Sequence, residues 1–184
     1  TASTTPELDG NSVADLPQVL KAVLLAGAAR NDAWTNNPSN SRADRGTTAR
    51  PLDEVFGAGV VEIDRAHRIY TGLEQSGDSL LPETPTMVGP GWDFELMSNG
   101  ETLWHRFSLT ETADEIGILV TWNRVIASNF SLATHPDLNL ELFRIEGGSV
   151  VPLVGATADV FEAGNVRSNS GVDSVELVHV RGLA

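Results

Sequence analysis

Beyond Gly91 the apolar side chains recur at every second position, and this alternation restricts what the segment can become. Leu103, His105, Phe107 and Leu109 alternate with Trp104, Arg106 and Ser108; Ile116, Ile118, Val120 and Trp122 alternate with Gly117, Leu119 and Thr121. Leu138, Leu140 and Leu142 alternate with Asn139 and Glu141, and Val175, Leu177 and His179 with Glu176, Val178 and Val180. Successive side chains of a strand point to opposite faces, so a period of two marks strands with one face in a core. Short strands of this kind, separated by turn signals and without helical periodicity, predict a mainly β chain whose 92–184 region is a jelly-roll-like antiparallel β-sandwich. Trp122, in phase with Ile116, Ile118 and Val120, is expected to be buried.

Nearer the start the period is different. In Pro17 to Arg30 (PQVLKAVLLAGAAR) Val19, Leu20, Val23 and Leu24 recur at helical spacing, with Asp15 and Pro17 as start signals and Asn31 as a stop. Ala22, Leu25, Ala26 and Ala29 fill most of the opposite side, leaving Gln18 and Lys21 as a narrow wet edge. A helix so nearly apolar all round belongs between other layers. Val19, Leu20, Val23 and Leu24 are expected to be covered by the β region, with the Ala22 and Leu25 side partly exposed.

The following residues supply little to cover it. Asn31 to Asp53, NDAWTNNPSNSRADRGTTARPLD, is rich in Asn, Ser, Thr and Arg and reads as a surface loop. In VFGAGVVEIDRAHRIYTGLEQ, Gly57 and Gly59 permit a tight turn, Val60 and Val61 suit a short extended piece, and Asp64 can cap a helix carrying Ala66, Ile69 and Tyr70. The run SGDSLLPETPTMVGPG, with Pro82, Pro85 and Pro90, reads as a linker. These features divide the chain into 1–75, a linker at 76–91, and 92–184.

Charge and composition exclude several functions. Of 184 residues, 12 are Lys or Arg and 25 are Asp or Glu, a formal charge of −13 that repels phosphate backbones and anionic lipid. Nucleic-acid binding is not expected. The longest apolar run, Ala22 to Ala29, falls short of the roughly 20 residues that span a bilayer, so no membrane partner is expected either. With no cysteine there is no disulfide, thiolate cage or thiol nucleophile. Thr1 opens a polar run, TASTTPELDGNSVAD, without the basic and apolar regions of a signal peptide, as expected for a processed chain or an excised piece.

No motif carries chemistry by itself. Gly57-Ala58-Gly59-Val60 begins like a dinucleotide turn but lacks a third glycine and a strand–helix–strand unit, so tight packing is its expected role. His67, His105, His135 and His179 are not paired at the spacing of a zinc-binding helix and read as structural. Asp137, Asn139 and Glu141 place three oxygen ligands on one strand face, a possible calcium contribution, although any solvated strand face gives the same pattern. Asn129-Phe130-Ser131 fits a glycosylation sequon. No Gly-x-Ser-x-Gly elbow is present. No catalytic, cofactor-binding or metal-ligating residue is therefore assigned, and no cofactor is expected.

Two stretches nevertheless resemble a known family. PQVLKAVLLAGAARN followed by PLDEVFGAGVVEIDRAHRIY is similar to the tail of the catalytic domain of bacterial subtilisin-like serine peptidases, where an apolar helix precedes a Gly-x-Gly-x-Val turn and a short helix. WHRFSLTETADEIGILVTWN, DLNLELFRIEGG and SNSGVDSVELVHVRGL resemble the β-sandwich accessory modules of the pre-peptidase C-terminal type. The resemblance implies a helical remnant of an α/β peptidase domain followed by a β-sandwich, cut from a secreted serine endopeptidase. That family's aspartate, histidine, serine and oxyanion-hole asparagine all lie upstream of the matched part, so no catalytic role carries over. It implies as partners the missing catalytic segment and the protein or peptide substrate of the parent enzyme, with this chain inactive alone. The other reading is a non-catalytic binding or adhesion module for protein or glycan, which Trp92, Trp104 and Trp122 exposed on one face would favour.

Overall fold

Pro17 opens the first helix, α1 (Pro17–Ala26), where its fixed φ and missing N–H cost nothing. The computed structural model describes residues 13–126, 128–134 and 136–184; most of the opening polar run and His135 lie outside them. No side chain caps α1, and Asp15 instead accepts a hydrogen bond from the Tyr70 hydroxyl at 3.3 Å. The helix stops at Ala26 rather than Arg30 because the next residue, Gly27, lies against another helix. A Cβ at Gly27 would stand 2.7 Å from the Ala66 backbone nitrogen. That second helix, α2 (Ile63–Thr71), follows an extended Glu62, with Asp64 in its first turn paired to Arg68 at 2.7 Å.

The strands are β1 (Thr47–Thr48), β2 (Thr86–Met87), β3 (Arg106–Phe107), β4 (Ala113–Thr121), β5 (Val125–Ile126), β6 (Ala133–Thr134), β7 (Leu140–Glu141), β8 (Phe143–Glu146), β9 (Ser149–Pro152), β10 (Ala163–Asn165), β11 (Arg167–Ser168) and β12 (Val175–Leu183). With two short helices against these, the described chain is mainly β. Contacts divide it into two compact units, each discontinuous in sequence: residues up to Ala28 with Val61–Thr110, and Ala29–Val60 with Glu111–Ala184. This division differs from the expected 1–75, 76–91 and 92–184.

In the first unit Val19 and Val23 of α1 are buried with Ala14, Ala66 and Trp92, and Val13, Leu16, Ile69, Tyr70 and Phe94 pack around them. Val19, Leu20, Val23 and Leu24 were expected under the β region; Val19 and Val23 are instead buried within this cluster, and Leu20 and Leu24 are 42% and 44% exposed. At about 100° per residue they lie a quarter-turn from the Val19–Val23 stripe, and Ala66 and Trp92 are wide enough to cover that stripe alone. Ala22 and Leu25 are half-buried.

The segment 76–91 is not a linker in this structure, because its backbone is pinned within the first unit. Gly77 N–H donates to Asp93 Oδ2 at 3.0 Å, Val88 N–H to Gln75 Oε1 at 2.9 Å, and Thr84 is 1% exposed. Thr86 and Met87 pair in parallel with Arg106 and Phe107. The prolines stiffen a returning strap. It delivers Trp92, whose backbone brackets Leu73 and Gln75 and whose indole Nε1–H donates to Tyr70 O at 3.0 Å.

The second unit is built on β12, which lies between β10 and β4, antiparallel to both. The long β4–β12 ladder runs from Thr121 opposite Val175 to Ala113 opposite Leu183. Alternation predicted one buried face for the last strand, yet Val175 through Val180 are all buried. On one side β11, held between β1 and β7, brings Ser168 to Glu176. On the other the indole of Trp34 meets His179 edge to face, with centroids 4.9 Å apart.

Truncating Trp92 should therefore unfold the first unit more readily than any other single change. Trp92→Ala is expected to cost about 3–5 kcal/mol and Trp92→Phe, which keeps a ring but loses the bond to Tyr70, about 1–2 kcal/mol. Urea midpoints of the two variants check the ordering; equal midpoints would contradict this account.

Candidate functional site

The polar groups with the most perturbed surroundings lie on β12 and the segments packed against it. Asn165 is fully buried and its amide is completely used. Its Oδ1 accepts from Asn36 Nδ2 at 2.8 Å and from His179 N–H at 3.0 Å, while its Nδ2 donates to Leu177 O at 2.8 Å and Arg167 O at 3.3 Å. One side chain thus ties the 31–53 segment to the central strand. Gly164 allows it, since a Cβ there would collide with the His179 carbonyl and its φ is +100°.

The expected surface loop at 31–53 is accordingly an anchor. Trp34, Asn36, Thr48 and Asp53 are all buried, and each has a partner. Trp34 Nε1–H donates to Gly57 O at 2.9 Å, and Thr48 Oγ1 donates to Asn36 O at 2.6 Å. Asp53 accepts from the amides of Thr35, Val55 and Phe56 at 2.8, 2.7 and 2.8 Å. These bonds, that of Thr35 foremost, hold its carboxyl below the usual range. Gly57 and Gly59, at φ +57° and +119°, complete the same turn, as the tight-packing reading expected.

His179 donates or accepts through Nε2 to Glu115 Oε1 at 3.0 Å, and the Arg30 guanidinium lies 4.0 Å from the same oxygen and 5.3 Å over the Trp34 ring. Burial and then Arg30 push the imidazole down to about 4. His179 is therefore neutral near pH 7, with its proton on Nε2, because Glu115 can only accept. Glu176 shows the opposite shift. It is fully buried, bonded by Ser168 Oγ and by Ser170 N–H at 2.6 Å. Burial pushes its carboxyl up to about 7, with Asp173 and Asp137 adding to the rise while the bonds from Ser168 and Ser170 oppose it.

Ser168 and Ser170, the buried serines packed against β12, are not placed as acyl-transfer nucleophiles. A serine nucleophile needs a base within hydrogen-bond reach and donors aimed at the oxyanion. Ser168 and Ser170 meet carboxylates instead, and both are buried without access to substrate. Of the other described histidines, His67 is exposed, and His105 bonds Asp93 Oδ2 at 2.9 Å in the first unit. Burial raises Asp93, but His105 and the Gly77 and Phe94 amides outweigh it and hold the carboxyl below its ordinary value.

Asp137 and Asn139 are exposed, while Glu141 is occupied by Arg167, at 2.6 Å. Among the described residues no group of three or more His, Asp or Glu side chains is arranged to hold a metal ion. Trp92 is buried, and Trp104 is half-buried. Trp122, expected in the core, is only half-buried, like Ile116, Ile118 and Val120, on a strand that among the described residues has a neighbour on one side; its Nε1–H donates to Pro136 O at 2.7 Å. Asn129 Oδ1 accepts from the Ser131 amide and hydroxyl, which folds the sequon into a turn with Phe130 exposed at φ +57°. A shallow, solvent-open groove runs along Asn37, Pro38, Ser39, Thr47, Ala49 and Arg50.

His179 and Glu176 make a paired prediction. Glu176, raised from 4.5 to about 7, contributes stability that is complete at low pH and lost as pH climbs to 7; His179, lowered from 6.5 to about 4, contributes stability lost as pH falls to 4. Between these limits the slopes oppose each other, and stability is expected to be nearly flat with pH from these groups. Glu176→Gln should leave stability rising from pH 4 to 6.5, and His179→Gln should leave it falling from pH 4.5 to 7. Each change is on the order of 3 kcal/mol. Urea titrations across pH 4–7.5 check both signs; parallel profiles for the two variants would overturn the assignment.

No protein-family model, curated protein or solved structure matches this chain.

Proposed function

We propose that this chain is the C-terminal part of a secreted bacterial subtilisin-like serine endopeptidase: the end of the catalytic domain followed by a jelly-roll-like β-sandwich accessory module. The parent protein hydrolyses peptide bonds; this part supplies scaffold and is inactive alone. The observation carrying the reading is the uncovered face of α1. Val19 and Val23 are buried while Leu20 and Leu24, in the stretch that resembles the helix following the nucleophile helix of that family, stand open at 42% and 44%. Two leucines on one helix stripe are the kind of surface that a further layer of chain covers. Burying them fully would contribute about 1.5–3 kcal/mol each. The buried indole of Trp92 disfavours the alternative of a three-tryptophan binding platform for protein or glycan.

The coding sequence upstream of Thr1 is expected to contain a Gly-Thr-Ser-Met/Phe-Ala-x-Pro motif; its absence, or peptide-bond hydrolysis by this chain alone, would overturn the proposal. A stability test is independent of sequencing. Leu24→Asp should change the isolated chain by less than about 0.5 kcal/mol but destabilise the upstream-extended protein by about 3 kcal/mol or more, through an unpaired buried charge. Denaturant titration of both forms makes the comparison.

A further inference from the structure

Strand β4 forms one side of its sheet: β12 pairs with one of its edges, and among the described residues no strand pairs with the other. The phase of the ladder identifies the backbone groups on that second edge. Trp122 N–H donates to Ser174 O, and the partners continue with Thr121 opposite Val175, Val120 opposite Glu176 and Leu119 opposite Leu177. Hydrogen-bonded and non-hydrogen-bonded couples alternate in an antiparallel pair. Val120, Ile118 and Ile116 therefore bond to β12, and Gly117, Leu119 and Thr121 turn their N–H and C=O groups outward. From Ile116 to Thr121 the strand reads IGILVT, without charge, and no lysine or proline occurs anywhere in β4. Native sheets use such residues to blunt an open edge.

The sequence around this edge is complementary to itself in one register. Two antiparallel copies related by a two-fold axis through Leu119 place Gly117 opposite Thr121, Ile118 opposite Val120 and Ile116 opposite Trp122. Arg124 lies three residues past the end of β4; with the strand continued to it in the same register, Asp114 of each copy stands opposite Arg124 of the other, and both residues are exposed. Moving the axis to Ile118 sets Asp114 against Trp122, and moving it to Val120 sets it against Ile126, so these neighbouring registers lose both charge pairs. The outward groups of Gly117, Leu119 and Thr121 are also those that the Leu119 register bonds across the axis.

We propose that the Gly117–Thr121 edge of β4 is a homodimer interface, in which β4 pairs antiparallel with β4 of a second copy about Leu119 and the Asp114–Arg124 pairs fix the register. Such an interface is isologous and closes after two copies. Sedimentation velocity of the 184-residue chain from micromolar to millimolar concentration is expected to show a monomer–dimer equilibrium. Arg124→Glu faces Asp114 with a like charge and should weaken dimerisation at least about tenfold, while the exchanged pair Asp114→Arg with Arg124→Glu should restore it to within about threefold. Both positions are exposed, and thermal melts verify that the variants fold. Leu119→Pro, which removes an N–H that β12 does not use, should abolish the dimer. A monomer at every concentration overturns the proposal, as does a dimer indifferent to Arg124→Glu. Slow hydrogen exchange at Gly117, Leu119 and Thr121 in a monomer would show the edge already taken by another segment of the chain, and overturns it as well.

Discussion

Burial of β12 on both faces is the constraint to which the rest of the second unit responds. A strand carrying Glu176 and His179 cannot lose water on both sides unless each polar atom finds a partner within the protein. The neighbouring segments are placed accordingly: Ser168 and Ser170 at Glu176, Glu115 at His179, and the Asn165 amide across the backbone of both Leu177 and His179. Removing one partner would leave the other group buried and unpaired, at about 1–3 kcal/mol. The order in this region is therefore set by directional bonds more than by shape.

The same principle extends to the turn at 156–162. The Arg45 guanidinium donates to four carbonyls, Ala156 and Thr157 through Nη1 and Phe161 and Glu162 through Nη2, and its Cζ lies 4.0 Å over the Phe161 ring. A planar fork of five donors suits several carbonyls at once, which a lysine ammonium could not match. Gly46 beside it lets Val166 and Phe161 approach, since a Cβ there would stand 2.8 Å from Val166. Arg45 and Gly46 sit in a stretch that reads as a surface loop by composition, yet they join parts of the chain more than a hundred residues apart.

What was legible in the sequence was whatever depends on local periodicity. The alternation of Ile116 to Trp122 and of Val175 to Val180 marks β4 and β12, Pro17 marks the start of α1, and Gly57 and Gly59 mark their turn. Partners remote in sequence were not legible. The polar 31–53 segment resembled solvated loop because nothing local indicates that Asn36 meets Asn165 or that Thr48 pairs with Ser168. Periodicity likewise assigned Leu20 and Leu24 to a core, since a stripe shows that a surface is apolar without showing how wide its cover is. The prolines of 76–91 were read as spacers when they stiffen a strap that returns to Gln75 and Asp93. In the candidate site, the shifts at Glu176 and His179 were invisible for the same reason: they arise chiefly from burial by segments remote in sequence, with Asp173 and Asp137 adding to the rise at Glu176 and Arg30 to the fall at His179.

The two surfaces left without cover differ in the physics by which they select a partner. The Leu20–Leu24 stripe of α1 offers apolar area, whose attraction is non-directional and tolerates many side-chain combinations on the covering layer. The edge of β4 offers N–H and C=O groups at fixed spacing, which bind any extended backbone but assign register only through side chains. On β4 the uncharged middle cannot distinguish one register from the next, so discrimination in the proposed pairing falls to Asp114 near the start of the strand and Arg124 just past its end. The buried carboxyl and imidazole of β12 owe their shifted ionisation chiefly to burial. The bonds of Glu176 to Ser168 and Ser170, and of His179 to Glu115, tie β12 to the segments around it.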